Sequence, residues 1–283
     1  MIDLGFVVLN YKNYQETFYC VESILKQKNV NPYVCIVDNG SNNGSVEFLR
    51  DKYQSNNSIE IIPLPANVGY AQGNNAGIDY FLRKKIDNIV VCNSDVEFST
   101  PNISMQMVSA EQDDVGLINP TIKNIDGSID QRVVYKKALF GCRVFKKIIE
   151  SICYKIRKQS ETTSSKSNYK EVISDQVQFG KNVDCFVVAG SCFMLTPQFF
   201  KYFHGLFPET FLYFEEWATM ILLHKVNLNT KLIQTDPVIH KGAASTPNKT
   251  NSDWKQQMAA QSARKVLKLL LSSRRKILKD YGR

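Results

Sequence analysis

The chain has 283 residues, 43% of them hydrophobic and 22% charged, with a formal net charge of +8. That composition is of the ordinary globular kind: it excludes a disordered or fibrous polypeptide and allows a sizeable core. No stretch approaches the roughly 20 consecutive apolar residues a membrane span needs, and the N-terminal MIDLGFVVLNYKNY has no basic segment before its apolar run, so an unprocessed cytoplasmic protein is expected.

The first hundred residues alternate short β-branched runs with helical patterns. LGFVVLNY (4–11) predicts a strand, 13–27 a helix, 32–41 a strand ending in a turn, and 45–53 a helix. A short strand follows at 59–65, then a helix over 69–85 and a strand over 88–98. Strands this apolar, joined by helices, predict an α/β fold with a parallel sheet covered on both faces. In such sheets ligands bind beyond the carboxyl ends of the strands. Here those exits are small and polar: LNYKN, VDNGSNNGS, PANVGYAQGNN and CNSDVE.

Residues 155–182 are rich in Ser, Thr and Lys and weakly periodic, which predicts a mobile polar loop. VDCFVVAGSCFMLTPQFF (183–200) resumes as a buried strand with a Gly-Ser break, and a further strand ends at His240. The seven cysteines stand singly, with no C-x-x-C pair, and are expected as reduced core residues.

The last twenty residues carry eight Lys or Arg against one Asp. Val266, Leu267, Leu270, Leu271, Ile277 and Leu278 can share one helical face, with Arg264, Lys265, Lys268, Arg274, Arg275, Lys276 and Lys279 around the rest. Such a helix can lie on an anionic bilayer or pack on its own domain. Because the basic charge sits in one Leu-rich tail with few aromatics, a nucleic-acid partner is not expected.

The acidic stretch FLYFEEWATMILL (211–223) raises the question of a catalytic carboxylate pair, Glu215 and Glu216. The pieces VVLNYKN, VDNGSNNGS, NVGYAQGNNAGI, NSDVEF, VAGSCFML, FLYFEEW and VIHKGAAS together resemble the inverting family 2 glycosyltransferases of the GT-A fold, in particular the bacterial rhamnosyltransferase-like branch, over residues 4–245. The resemblance implies a Rossmann-like, mostly parallel sheet. Residues 1–154 would form the nucleotide-sugar half, 183–250 the acceptor and catalytic half, and 251–283 a basic amphipathic tail.

It also implies roles. Asn10, Tyr11 and Asp38 would edge the base and ribose of a nucleotide-sugar donor. Asn43 stands where the family often has a second Asp. Asn67, Gly69, Gly73, Asn74 and Ser94 would line the donor pocket, the glycines letting backbone approach the ligand. Asp95 would hold a divalent metal, Mg²⁺ or Mn²⁺, against the departing diphosphate. His240 would be a second ligand, with Lys241 and Ser245 as phosphate partners. Glu216 would be the general base, Glu215 its helper, and Gly190, Ser191 and Trp217 would face the acceptor. The branch points to dTDP-rhamnose as donor, a UDP-hexose being the alternative, and to a surface polysaccharide or lipid-linked saccharide as acceptor, built on the inner face of the plasma membrane. Ala218 occupies a place where the family commonly carries a further Asp, which leaves open a catalytically impaired sugar-nucleotide-binding protein.

Overall fold

The structure, a computed structural model, describes residues 1–130, 132–135, 185–242 and 252–283. The predicted loop at 155–182 and the candidate Ser245 lie outside the described residues.

The first half follows the expected rhythm: β1 (Ile2–Asn10), α1 (Tyr14–Leu25), β2 (Val30–Asp38), α2 (Ser45–Tyr53), β3 (Ile59–Pro63), α3 (Tyr70–Arg83) and β4 (Ile89–Asn93). The single strand expected over 88–98 is in fact two, because the chain turns at Ser94 and Asp95 before β5 (Val96–Phe98). Next come α4 (Ile103–Val108), β6 (Val115–Asn119), β7 (Ile122–Asn124) and β8 (Arg132–Tyr135). The second half supplies β9 (Cys185–Val188), β10 (Cys192–Leu195), α5 (Pro197–Phe200), α6 (Glu215–Lys225), β11 (Asn229–Leu232) and β12 (Val238–His240). Two helices close the chain, α7 (Ser252–Leu271) and α8 (Arg274–Tyr281).

The main sheet has seven strands in the order β11-β6-β10-β4-β1-β2-β3. All neighbours are parallel except β10, which runs antiparallel between β4 and β6. Alternate residues of each strand feed two apolar layers, as the pleat dictates. Phe6, Val8 and Ile36 meet Val21 and Ile24 of α1 and Met107 of α4 on one face. Val7, Cys35 and Val37 meet Ile78 and Phe81 of α3 on the other, a layer continued by Ile221 of α6, Val266 of α7 and Ile277 of α8. Cys20, Cys35, Cys92 and Cys192 are buried free thiols within these layers.

The C-terminal tail is therefore part of the domain, the second of the two arrangements its sequence pattern allows. Ala263, Val266, Leu269 and Ile277 are buried in the core, and Leu267, Leu270 and Leu278 pack against it. Of the expected apolar face only Leu271 is open to solvent, at 72% exposure. The stripe is the seam between tail and sheet, and a break at Ser272–Ser273 splits the expected helix in two. Lys225 Nζ caps the first of these helices through the carbonyls of Leu270 (3.0 Å) and Ser272 (2.7 Å).

A second, small sheet, β5-β12-β7, sits beyond the carboxyl end of β4. Its pairing sets the site: His240 at the end of β12 lies opposite Val96, beside Asp95, and opposite Asn124 of β7.

Candidate active site

A cavity of about 560 Å³ opens beyond the carboxyl end of β4. Asn93 forms one part of its wall and the 189–191 bend between β9 and β10 another. Tyr213 to Trp217, His240 and Ala259 of α7 also line it. Six of the residues expected from the sequence converge here: Glu215, Glu216, Trp217, Gly190, Ser191 and His240.

The carboxylate pair opens α6, where a helix N-terminus favours negative charge. It is delivered by an unusual backbone: Tyr213 and Phe214 both adopt left-handed conformations, φ 72° and 70°. Bulky side chains rarely occupy that region, and such strain persists only where surroundings over-determine it. They do so here. Phe211 carbonyl accepts from Tyr70 N at 2.9 Å, Leu212 carbonyl accepts from Ser262 Oγ at 2.8 Å, and Glu209 carbonyl accepts from Lys265 Nζ at 2.5 Å. The tail helix α7 thus fixes the loop that aims the acids.

The two acids differ in environment. Glu215 Oε1 is enclosed without a hydrogen-bond partner, and burial first and the neighbouring Glu216 charge second push its carboxyl up to about 8. Glu215 is therefore largely protonated at neutral pH. Glu216 lies against Gly190, where an added Cβ would stand 2.6 Å from Glu216 Oε1. Tyr70 hydroxyl holds that bend by donating to Gly190 carbonyl at 2.6 Å. The Glu216 carboxylate occupies the space a side chain at Gly190 would fill.

The raised Glu215 carboxyl carries a testable sign. An unfolded Glu loses its proton near its ordinary 4.5, whereas the folded one keeps it to about 8. The folded state then binds more protons between those values, so stability falls as pH rises through that window, by at most about 1.4 kcal/mol per unit. Glu215→Gln is expected to flatten this slope in chemical denaturation measured from pH 5 to pH 8. An unchanged slope would contradict the assignment.

Ala218 is fully buried among the apolar residues of α6 and is not a wall of the cavity. The position where a third acid was expected is a core position in this chain. Ala218→Asp would place a carboxylate in apolar surroundings and is expected to cost about 2–4 kcal/mol of stability without raising turnover. Thermal unfolding and activity of the variant, measured together, check this: a gain in turnover would contradict it.

On the metal side, His240 Nε2 stands 3.5 Å from Asp95 Oδ1, and its Nδ1 lies 2.7 Å from Asp130 Oδ2. The Asp130 hydrogen bond, followed by that of Asp95, holds the imidazole up to about 9. Asp95 is almost fully buried, and Ser94 Oγ beside it is enclosed with no partner. Among the described residues no cluster of three or more His, Cys, Asp or Glu is placed to hold a metal by itself. Asp95 and His240 nonetheless fit a Mn²⁺ or Mg²⁺ that takes its remaining ligands from phosphate oxygens and water. Their spacing is near that of two atoms sharing one ion, and the orphaned Ser94 hydroxyl marks a polar position left for a ligand.

The remaining expected donor residues have protein partners. Asp38 is buried and accepts from Asn10 Nδ2 at 2.6 Å and from Ser41 N at 2.9 Å, bracing the ends of β1 and β2. Tyr11 is half-buried with Lys12 Nζ over its ring at 5.1 Å. Asn67 Oδ1 accepts from Gly69 N at 2.9 Å and Asn39 Nδ2 at 3.0 Å, closing the turn before α3. Gly69 and Gly73 do permit a close approach, but to protein: a Cβ at Gly69 would stand 2.5 Å from Phe211 carbonyl oxygen, and one at Gly73 2.6 Å from Leu9. Packing is thus one reason for a glycine at each position. Asn74 is buried in α3 and donates to Tyr70 carbonyl at 3.0 Å. Lys241, expected on phosphate, instead pairs with Glu16 at 2.9 Å and Glu97 at 3.5 Å.

A mostly parallel sheet with polar strand exits, an acid pair at a helix start and an Asp–His pair beyond the central strand define the GT-A type of glycosyltransferase fold. The chain belongs to glycosyl transferase family 2, whose family model matches residues 6–185. It is 23% identical over 240 residues to the low-salt glycan biosynthesis hexosyltransferase Agl10 of Haloferax volcanii, covering 84% of this chain and 67% of that protein. Among solved structures it is similar to the mannosyltransferase PcManGT of Pyrobaculum calidifontis in complex with GDP-Man and Mn²⁺, with TM-score 0.53 and 11% identity over 97% of this chain and 69% of that one. It is also similar to S. aureus TarS residues 1–349 in complex with UDP, with TM-score 0.51 and 10% identity over 92% of this chain and 70% of that one. The chain spans 43% of a longer TarS structure.

Proposed function

We propose that the chain is a metal-dependent, inverting hexosyltransferase that takes rhamnose from dTDP-rhamnose and adds it to a surface polysaccharide or its lipid-linked precursor. The observation that carries this reading is one cavity lined by both Glu216 and His240, the latter next to Asp95. Glu216 takes the proton of an acceptor hydroxyl, whose oxygen attacks the anomeric carbon from the face opposite the diphosphate. A bond from acceptor oxygen to anomeric carbon forms, and the bond to the diphosphate oxygen breaks. Glu215, holding its proton, can donate a hydrogen bond within the cavity, and Trp217 offers a ring face to a sugar. Asp95 and His240 would hold the divalent ion, which neutralises charge on the leaving diphosphate. The neighbour's Mn²⁺ and GDP-Man, and UDP in the other, support a nucleotide-sugar donor with a metal.

Attachment to an anionic membrane surface is part of this proposal, but through charge alone. Arg264, Lys265, Lys268, Arg274, Arg275, Lys276 and Lys279 are all exposed while the apolar stripe is buried in the domain. Among the described residues no helix is long and apolar enough to cross a membrane.

The test is donor hydrolysis across dTDP-, UDP- and GDP-sugars with Mn²⁺ or Mg²⁺, then with EDTA. Turnover of dTDP-rhamnose that stops on chelation is the expected result. Preference for a UDP-hexose would overturn the rhamnose reading, and EDTA-resistant turnover the metal reading.

A further inference from the structure

Asp130 is a carboxylate that the motifs did not single out, and it lines the same cavity as the Glu pair. The fold carries it there. After β7 the chain turns back through Asn124 to Ser128, with Gly127 at φ +82° and Gly127 N bonded to Asn124 carbonyl at 2.9 Å. Lys123 and Ile129 then bridge, and Asp130 N donates to Ile122 carbonyl at 3.0 Å. The return sets Asp130 beside Ile122, which pairs with Val238 of β12, two residues before His240.

The side chains complete the arrangement. Asp130 Oδ2 lies 2.7 Å from His240 Nδ1 and accepts from Ser191 Oγ at 3.3 Å, while Asp95 faces the other ring nitrogen, Nε2. The two nitrogens lie on different edges of the imidazole, so a carboxylate bonded to Nδ1 is not placed to share an ion bound at Nε2. A metal-binding His almost always donates its second N–H to a carboxylate, carbonyl or water, which fixes ring and tautomer. Neutral His in solution carries no such constraint.

We infer that Asp130 is a positioning residue: by accepting from His240 Nδ1–H it presents Nε2, beside Asp95, as the ligand for the divalent cation. Ser191 acts in the same chain, holding the Asp130 carboxylate to the bend that also carries Gly190. The cation grip and the bend beside the base thus share one hydrogen-bonded link. This rests on the reading of Asp95 and His240 as metal ligands.

The experiment uses the purified chain, its Asp130→Ala form and the near-isosteric Asp130→Asn form as a second variant should the first fail to fold. The probe is Mn²⁺ alone, followed by electron paramagnetic resonance of the free ion. Imidazole ¹⁵N shifts, with His240→Gln identifying the signal, are recorded above pH 9 without metal. The expected result is a 10- to 100-fold loss of Mn²⁺ affinity in Asp130→Ala, with the neutral His240 ring moving away from the Nδ1–H tautomer seen in the native chain. Mn²⁺ affinity within twofold of native, or an unmoved tautomer, would overturn the inference alone. Failure of the native chain to bind Mn²⁺, with the tautomer shift intact, would overturn the metal reading instead, and Asp130 would then orient His240 for some other contact.

Discussion

Glu216→Gln is expected to lower the transfer rate by about 10³- to 10⁴-fold while leaving nucleotide-sugar binding nearly unchanged. The amide keeps the shape of the side chain against Gly190 but cannot take a proton. Removal of a positioned base typically costs about 10²- to 10⁴-fold. The upper part of that range is expected because the other carboxylates of the cavity, among the described residues, are protonated or engaged: Glu215 is largely protonated, and Asp130 is bonded to His240 Nδ1 and Ser191 Oγ. Single-turnover kinetics with the preferred donor, together with donor titration, check this. A variant retaining more than a tenth of native turnover would contradict the role given to Glu216.

Gly190→Ala is expected to cost about 100-fold in turnover with little loss of stability. The new methyl would stand 2.6 Å from Glu216 Oε1, and 3.2 Å from its Cδ, so the carboxylate must move. The atom that gives way is the far end of a flexible side chain, which keeps the cost to the fold small. A displacement of about 1 Å in a catalytic group is enough for a loss of that size. Pairing thermal unfolding with kinetics separates the effects: a stable variant with native turnover would place the working base elsewhere.

Much of the nucleotide half was legible because its signals are local. Period and β-branching marked β1 through α3, and the polar exits pointed to the edge where the cavity lies. The break within 88–98 is not legible because NSD reads as a continuation, whereas the chain turns there to enter a different sheet. Gly69 and Gly73 were recognised as close-approach positions, but sequence does not say what approaches, and Phe211 carbonyl and Leu9 are partners supplied by distant packing.

The tail shows the same limit. An amphipathic stripe flanked by Lys and Arg looks alike whether it faces lipid or a sheet, and only the burial of Val266 and Ile277 decides. Asp130 does not stand out in the sequence because NIDGSID is ordinary turn chemistry. Its meaning depends on β7 pairing with a strand more than a hundred residues later, a contact that leaves no mark in local sequence. Ala218 stood out against the family pattern, yet its burial shows a core position that leaves both cavity acids in place.

The central claim is a single displacement in which Glu216 activates the acceptor in the cavity beside Gly190. The configuration of the transferred sugar tests it most directly, read from the anomeric proton coupling and carbon shift of donor and product by NMR. Inversion relative to the donor, with product formation slowed about 10³- to 10⁴-fold in Glu216→Gln, is the result the account predicts. A product that retains the donor's configuration would contradict it.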